Sequence, residues 1–442
     1  MFQFTPQKEK DVFYIYLDVL QQQPQKDIRS NKTLSFVIDT TKVFTSISHI
    51  CSSIKLHCKE EKQLCLCIKK VPNNIKYVLL TRVSKILYNF DKYVTSNDKH
   101  KLKTVFVHDN ERNRKMIENI CNVISCTDIV RDMENEPANI MSPDNFCRFV
   151  KKLFSERKYK KHIKIKVLNE NDMEKQGLNL VLAIGLSSKR MPRFMTIECI
   201  RNKSYPTVAL VGKTVVYDAG GLSIKTKQNM SPEMKTDKSG GCIVVGAMKY
   251  FVDNDIKCNI IGLLPIVENV VSEEVARPGD IIKSYSGKTV EITNTDAEGR
   301  LIMADAISYS AKYKPDYIFD VATLTGWSGD VHADLSTVCY SRNEELAKTI
   351  VQLGDKVGER AWFLPPWDEY IEMTKSKVAN VRNFSLDIKE GAYLPAMFLL
   401  NFVPFELRDK FVHFDVCGNF KNDIAQGNCV ALLIELLKEI SL

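Results

Sequence analysis

The stretch VEITNTDAEGRLIMADA, residues 290–306, runs from a strand-like segment into a helix-like one and carries three ionisable groups at the junction. Asp296, Glu298 and Arg300 are spaced two apart. Alternate residues of an extended segment point the same way, so the three can share one face. Beyond them Leu301, Ala304, Ile307 and Ala311 recur every three or four residues, the spacing of an amphipathic helix.

Upstream, TVALVGKTVVYD (207–218) reads as a strand with Lys213 within it and Asp218 at its C-terminal end, followed by Ala219-Gly220-Gly221. Lys225 lies just beyond, and MKTDKSGG (234–241) sets Asp237 immediately before a Gly-rich helix start. From about residue 165 the runs KIKVL, LVLAIGL, FMTIECI, TVALVGKTVVYD and NIIGLLPIV read as strands alternating with helices such as 240–252. That alternation argues for a mostly parallel sheet with helices on both faces. Ligands bind such sheets beyond the carboxyl ends of the strands, and glycines there let the backbone approach a ligand closely.

Taken singly, these residues have ordinary explanations: an Asp before a helix caps it, and a Lys or Arg pairs at the surface. Four carboxylates gathered at one sheet edge, however, repel each other unless cations neutralise them. Two neighbouring divalent ions would do so and would supply a nucleophilic hydroxide. A buried Lys213 beside such ions could lose its proton and serve as a nitrogen ligand. Two other chemistries are excluded. Gly212-Lys213-Thr214 looks like the end of a phosphate-binding loop, but that motif needs a Gly where Thr207 stands. The seven histidines contain no H-E-x-x-H pair, so a metal here has to be held mainly by carboxylates.

The 442 residues exceed what one hydrophobic core organises, and two domains are expected. Lys and Arg number 62 against 54 Asp and Glu, a net charge of +8, mild for this length; a dedicated nucleic-acid domain concentrates its charge in a patch. No run approaches the roughly 18–20 apolar residues of a membrane helix. The beginning, MFQFTPQKEKDVFY, lacks a basic segment followed by a long apolar one, so no secretory signal is expected. Thirteen irregularly spaced cysteines fit reduced thiols in a cytoplasmic setting, with Cys65 and Cys67 read as core. Residues 1–125 read as a smaller N-terminal α/β domain with a scaffolding or oligomerisation role. Its runs VFYIYLDVL (12–20), LSFVIDT (34–40), QLCLCIKKV (63–71), KYVLLTRV (76–83) and KTVFVHD (103–109) read as strands. Residues 126–165 read as a helical linker region, with Ser142 capping a helix that has Pro143 in its first turn. Residues 166–442 form the larger C-terminal α/β domain, built on a central mixed, mostly parallel sheet.

The octapeptide NTDAEGRL (294–301) resembles the signature of the leucine aminopeptidase family, the M17 cytosol aminopeptidases. Its companions resemble family segments in family order: VRDMENEPANIMSP (130–143), VGKTVVYDAGG (211–221), MKTDKSGG, RPGDIIKSYSGKTVEITNTDAEGRLIMADA (277–306), DVATLTG (320–326) and LPPWDEY (364–370). The resemblance runs from about residue 128 to the C-terminus and makes 166–442 a di-metal catalytic domain.

The resemblance implies a metal-dependent aminopeptidase that hydrolyses N-terminal, Leu-like residues from peptides with a two-metal-activated hydroxide. Lys213, Asp218, Asp237, Asp296 and Glu298 would be the metal ligands, with Asp218 and Glu298 bridging. Asp296 would belong to the more readily exchanged site, and Lys213 with Asp237 to the tighter one. The ions would be Zn²⁺ or Mn²⁺, with Mg²⁺ or Co²⁺ as further choices for the exchangeable site. Lys225 would be a catalytic lysine polarising the scissile carbonyl, and Arg300 would hold a bicarbonate that acts as general base. Met234, Asn294 and the run Thr323-Leu324-Thr325-Gly326 would contact substrate together with Lys225. The assembly would be a homohexamer, a dimer of trimers, in the cytoplasm.

The chain departs from the family pattern at Thr214, Tyr217 and Ala219, none of them a ligand. Lys238 stands where a Met commonly follows the ligand Asp, and could pair with an acidic group or project away from the site. Pro395 falls where a small residue enters a helix lining the pocket for the N-terminal side chain. The rival reading is a family member acting mainly as a DNA-binding or structural protein. Intact ligand positions weigh against it, and a nucleic-acid partner, though disfavoured, stays open.

Overall fold

A computed structural model describes residues 2–5, 13–20, 28–30, 33–39, 42–57, 61–95, 102–159, 161–227, 230–332, 335–365, 367, 369–385, 391–416, 420–421 and 424–441. Pro366 and Asp368 of the LPPWDEY segment lie outside them. The chain divides into two compact units, Met1–Asp128 with Gln352–Glu359, and Ile129–Val351 with Arg360–Leu442. No helix among the described residues is long and apolar enough to cross a membrane.

The first unit is built on a six-stranded sheet in the order Phe2–Thr5, Thr104–His108, Gln63–Cys67, Phe13–Leu20, Thr33–Asp39, Ile28–Ser30. All pairs are parallel except the last. Four of the five runs expected as strands are strands. The fifth, 76–83, lies inside the helix Asn73–Leu87. Its apolar residues continue as Ile75, Val78, Leu79, Val83 and Leu87, a spacing of three to four that an eight-residue window does not reveal, and all five are buried.

The second unit carries a nine-stranded sheet. Its path runs Arg360–Leu364, Ser336–Tyr340, Phe411–Asp415, Tyr317–Ala322, Thr207–Gly212, Asn259–Asn269, Arg193–Cys199, Ile163–Leu168, and Thr214–Asp218 pairs with the C-terminal half of Asn259–Asn269. The central strands 411–415, 317–322, 207–212 and 259–269 are mutually parallel, so their carboxyl ends emerge at one edge. The pairs at 193–199 and 163–168 are antiparallel, which makes the sheet mixed but mostly parallel. Every residue of Asn259–Asn269 is buried, as expected of a strand covered on both faces.

Three local differences from the sequence reading have clear causes. The run LVLAIGL, expected as a strand, forms the helix Asn179–Gly185. Buried Asp305 accepts the amides of Leu180 at 2.8 Å and Val181 at 3.3 Å, satisfying donors that a helix start leaves open. The segment 207–218 is two strands separated at Lys213: its amide still donates to Val321 O, continuing the ladder of 207–212 with 317–322, and beyond it Thr214–Asp218 pairs with Asn259–Asn269. The helix Ser239–Asp253 then packs so closely that a Cβ on Gly240 would collide with Val321 O. Lastly, Glu298 is not in an extended segment but opens the helix Glu298–Ser310, so its alignment with Asp296 comes from a turn followed by a helix start. Ser142 does cap the helix Pro143–Leu153, accepting from Asn145 N at 3.4 Å.

Candidate metal centre

The break at Lys213 aims its side chain past the sheet edge. Its ammonium lies 2.6 Å from Asp237 Oδ1 and 2.9 Å from Glu298 Oε1, and donates to Thr323 O at 2.8 Å. The stem lies against Gly299, where a Cβ would collide with it. Asp237 follows the short 3₁₀ helix Pro232–Thr236 and also accepts from Thr323 Oγ1 at 2.6 Å. A second ammonium, that of Lys225, lies 2.8 Å from Asp218 Oδ2 and 2.5 Å from Asp296 Oδ1. Asp218, Asp296 and Glu298 each offer an oxygen within 4.8 Å of the others, a grouping able to hold a metal ion. The five residues expected as ligands and Lys225 are therefore gathered at one edge.

Several residues that position this cluster escaped sequence reading. Asn269, at the end of its strand, donates to Asp218 Oδ1 at 2.8 Å and to Thr295 O at 3.1 Å. Thr295 Oγ1 donates to Gly220 O at 2.7 Å and accepts from Ser223 N at 2.8 Å, stitching the Asp296 turn to the loop that carries Lys225. Asn383 accepts from Thr293 N and donates to Asn294 O, from some ninety residues away. Asp415 accepts the amides of Leu324 and Thr325 and the Thr325 hydroxyl, holding the 323–325 loop across the sheet edge. Only the sheet register brings these partners near, so no local motif announces them.

The other expected site residues are placed as follows. Asn294 Oδ1 accepts from Asp296 N at 2.8 Å. Gly326 opens the helix Gly326–His332. Met234 sits in the 3₁₀ helix and accepts from Asp237 N. Arg300 is buried; it donates to Asn383 O at 2.6 Å and its guanidinium lies 5.9 Å from the Phe384 ring centre. Pro395 is in the first turn of the helix Tyr393–Leu400, where a missing amide costs little. Lys238 projects away from the carboxylates and donates to the carbonyls of Glu134, Glu136 and Lys235. Burial pulls its pKa down to about 8.

Two ammonium groups do not balance four carboxylates. Burial raises Asp218 and, much further, Asp237, each also pushed by Glu298. Burial, with Asp218 and Glu298, lifts Asp296 to about 7. Burial opposes the charge on Lys213 and Lys225, yet the surrounding carboxylates outweigh it and raise both. Burial also opposes the charge on Glu298, but Lys213 and Lys225 prevail and hold its pKa down. Asp237 Oδ2 and Glu298 Oε2 are buried without a hydrogen-bond partner. Buried carboxylate oxygens with no donor and an uncompensated negative charge are what a hard or borderline divalent cation satisfies, so the donor set fits one.

A model of the cytosol aminopeptidase family catalytic domain matches residues 128–434. A protein of Brucella melitensis described as "Probable cytosol aminopeptidase" is 37% identical over 374 residues, covering 80% of this chain and 74% of that one. A protein of the same description from Legionella pneumophila is 33% identical over 368 residues, covering 82% and 75%. Among solved structures, the Caenorhabditis elegans leucine aminopeptidase LAP1 superposes with a TM-score of 0.88 at 23% identity, over 100% of this chain and 98% of that one. The bottromycin maturation enzyme BotP in complex with Mn gives 0.85 at 22% identity, over 98% and 100%. These two likenesses speak to the fold alone. With the family model spanning the whole carboxylate cluster and relatives above 30% identity on both sides of it, the chain belongs to the cytosol aminopeptidase family.

Proposed function

We propose that the chain is a metal-dependent aminopeptidase that removes Leu-like N-terminal residues from peptides. The observation that carries this is the set of four carboxylates, two of them (Asp237 and Glu298) with an orphaned buried oxygen, flanked by two lysines, at the carboxyl edge of the sheet. Two divalent ions, Zn²⁺ or Mn²⁺ with Mg²⁺ or Co²⁺ in the exchangeable position, would be held by Lys213, Asp218, Asp237, Asp296 and Glu298. Bound there, they would polarise the scissile carbonyl and activate water, and a free α-amine would find a ligand position, confining cleavage to the N-terminus.

The chain's own groups supply the rest. Lys225 brings a positive charge to the open side of the cluster, suited to stabilising negative charge that develops on the carbonyl oxygen. Arg300, buried and fixed by Asn383, offers a guanidinium that suits a small planar anion such as bicarbonate, which would take the proton from water. The 323–326 loop, held by Asp415, presents backbone groups that can orient a peptide, and Met234 and Asn294 would be further substrate contacts. By the same family resemblance the assembly is a homohexamer in the cytoplasm. The rival reading, a silent structural homologue, predicts a missing ligand, and each expected position has a ligand-capable side chain. A DNA-binding role would be additional to the activity and would show as salt-sensitive binding to duplex DNA.

The test is a pair of peptides beginning with Leu, one with a free α-amine and one acetylated, followed by mass spectrometry with Mn²⁺ present. Release of Leu from the free peptide alone is expected. Cleavage of both, or of neither, would sink the exopeptidase reading.

A further inference from the structure

Lys238 is entirely buried and sits next to Asp237 in sequence, at the cap of the helix Ser239–Asp253. An ammonium has three N–H donors and no acceptor. Here all three are spent on backbone carbonyls: Glu134 O at 2.9 Å, Glu136 O at 2.9 Å, and Lys235 O. Glu134 lies in the last turn of the helix Arg114–Asn135, where carbonyls have no partner within the helix and carry the negative end of its dipole. Lys235 lies in the 3₁₀ helix that leads directly into Asp237. One side chain thus caps one helix and grips the turn that presents a proposed ligand.

The capped end is itself well anchored. Asn135 exchanges hydrogen bonds with Ala425, at 3.0 Å to its carbonyl and 2.9 Å from its amide. The Glu134 carboxylate accepts Gly427 N at 3.1 Å, and Arg131 donates to Gln426 O at 2.8 Å. Asp237, by contrast, has one carboxylate oxygen held by Lys213 and Thr323 and the other without a partner. We propose that Lys238 is a positioning residue for the metal centre: by tying Lys235 to the fixed carbonyls of Glu134 and Glu136, it holds Asp237 where its carboxylate meets a divalent cation.

This rests on Asp237 being a ligand, and the experiment separates the two claims. The full chain is stripped of metal, and Mn²⁺ alone is titrated in while free Mn²⁺ is read by electron paramagnetic resonance. D237N tests the ligand role. K238M keeps the length of the side chain but removes every donor, and should weaken Mn²⁺ binding by about tenfold while the far-ultraviolet spectrum stays native, the loss typical of residues that orient ligands. K238Q, which keeps an amide donor, should fall between K238M and the parent, and decides the question if K238M does not fold. Parental Mn²⁺ binding in folded K238M, or in K238Q should K238M not fold, beside weakened binding in D237N, would overturn the positioning role alone. Parental binding in D237N would overturn the ligand reading and this inference with it.

Discussion

The two lysine-clamped halves of the metal centre are built alike and exposed differently. In the inner half, Lys213 and Glu298 have side chains exposed to 4% and 2%, and their backbones are set by a strand break and a helix start. In the outer half, Asp296 is exposed to 29% and stands on a turn, while Lys225 rides on the loop after Asp218. Burial multiplies electrostatic strength, whereas solvent screens it and provides an exit path. The proposal of a tighter cation at Lys213 and Asp237 and a more readily exchanged one at Asp296 rests on the exposure of Asp296, since Asp218, exposed to 5%, is no more open than Asp237, at 10%.

The largest effect is expected on removing Glu298, which pairs with Lys213 in the inner half and, by the family resemblance, would bridge to the outer one. Glu298→Ala should lower kcat on Leu-p-nitroanilide by at least about 100-fold, at any metal concentration, without unfolding the chain. Asp296→Asn should cost less, about tenfold at low metal, and recover as Mn²⁺ is raised. If the two variants respond to added metal alike, the halves are not distinct.

A pH series sharpens the same point. Asp296 titrates near 7 in the metal-free chain, above its ordinary value of 3.8, because it is buried beside Asp218 and Glu298. Its contribution to stability is therefore complete in acid and is lost as pH rises through 7. Asp218 and Asp237, also raised, act in the same direction. The metal-free protein should melt lower at pH 8 than at pH 6, and Mn²⁺ should reverse that order. Calorimetry with and without Mn²⁺ reads both. The smallest effect is expected at Gly299: a methyl there strikes Lys213, and Gly299→Ala should cost about 1–3 kcal/mol in urea unfolding, as overpacking does.

Much of the site could be read from the sequence because its donors sit in short local motifs at strand ends and helix starts. Asp218 ends a strand, Asp237 precedes a helix by two residues and Glu298 begins one. The reading of 296–300 as extended reached the right gathering through the wrong geometry. What stayed hidden depends on distant partners. LVLAIGL is apolar enough for either element, and its helical form is anchored by Asp305, more than a hundred residues on. Asn269, Asn383 and Asp415 carry no motif, and their roles exist only once the sheet is assembled. Lys238 was visible as a departure from the family pattern, but its three carbonyl partners were not.

The central claim is that the carboxylate cluster is a working metal site. The most direct measurement strips the purified chain with a chelator, follows Leu-p-nitroanilide hydrolysis, and then adds back Mn²⁺ or Zn²⁺ to the parent and to Glu298→Ala. Loss of turnover on stripping, its return with metal in the parent and its continued absence in the variant are predicted. Undiminished turnover in the stripped parent, or full recovery in Glu298→Ala, would contradict the account.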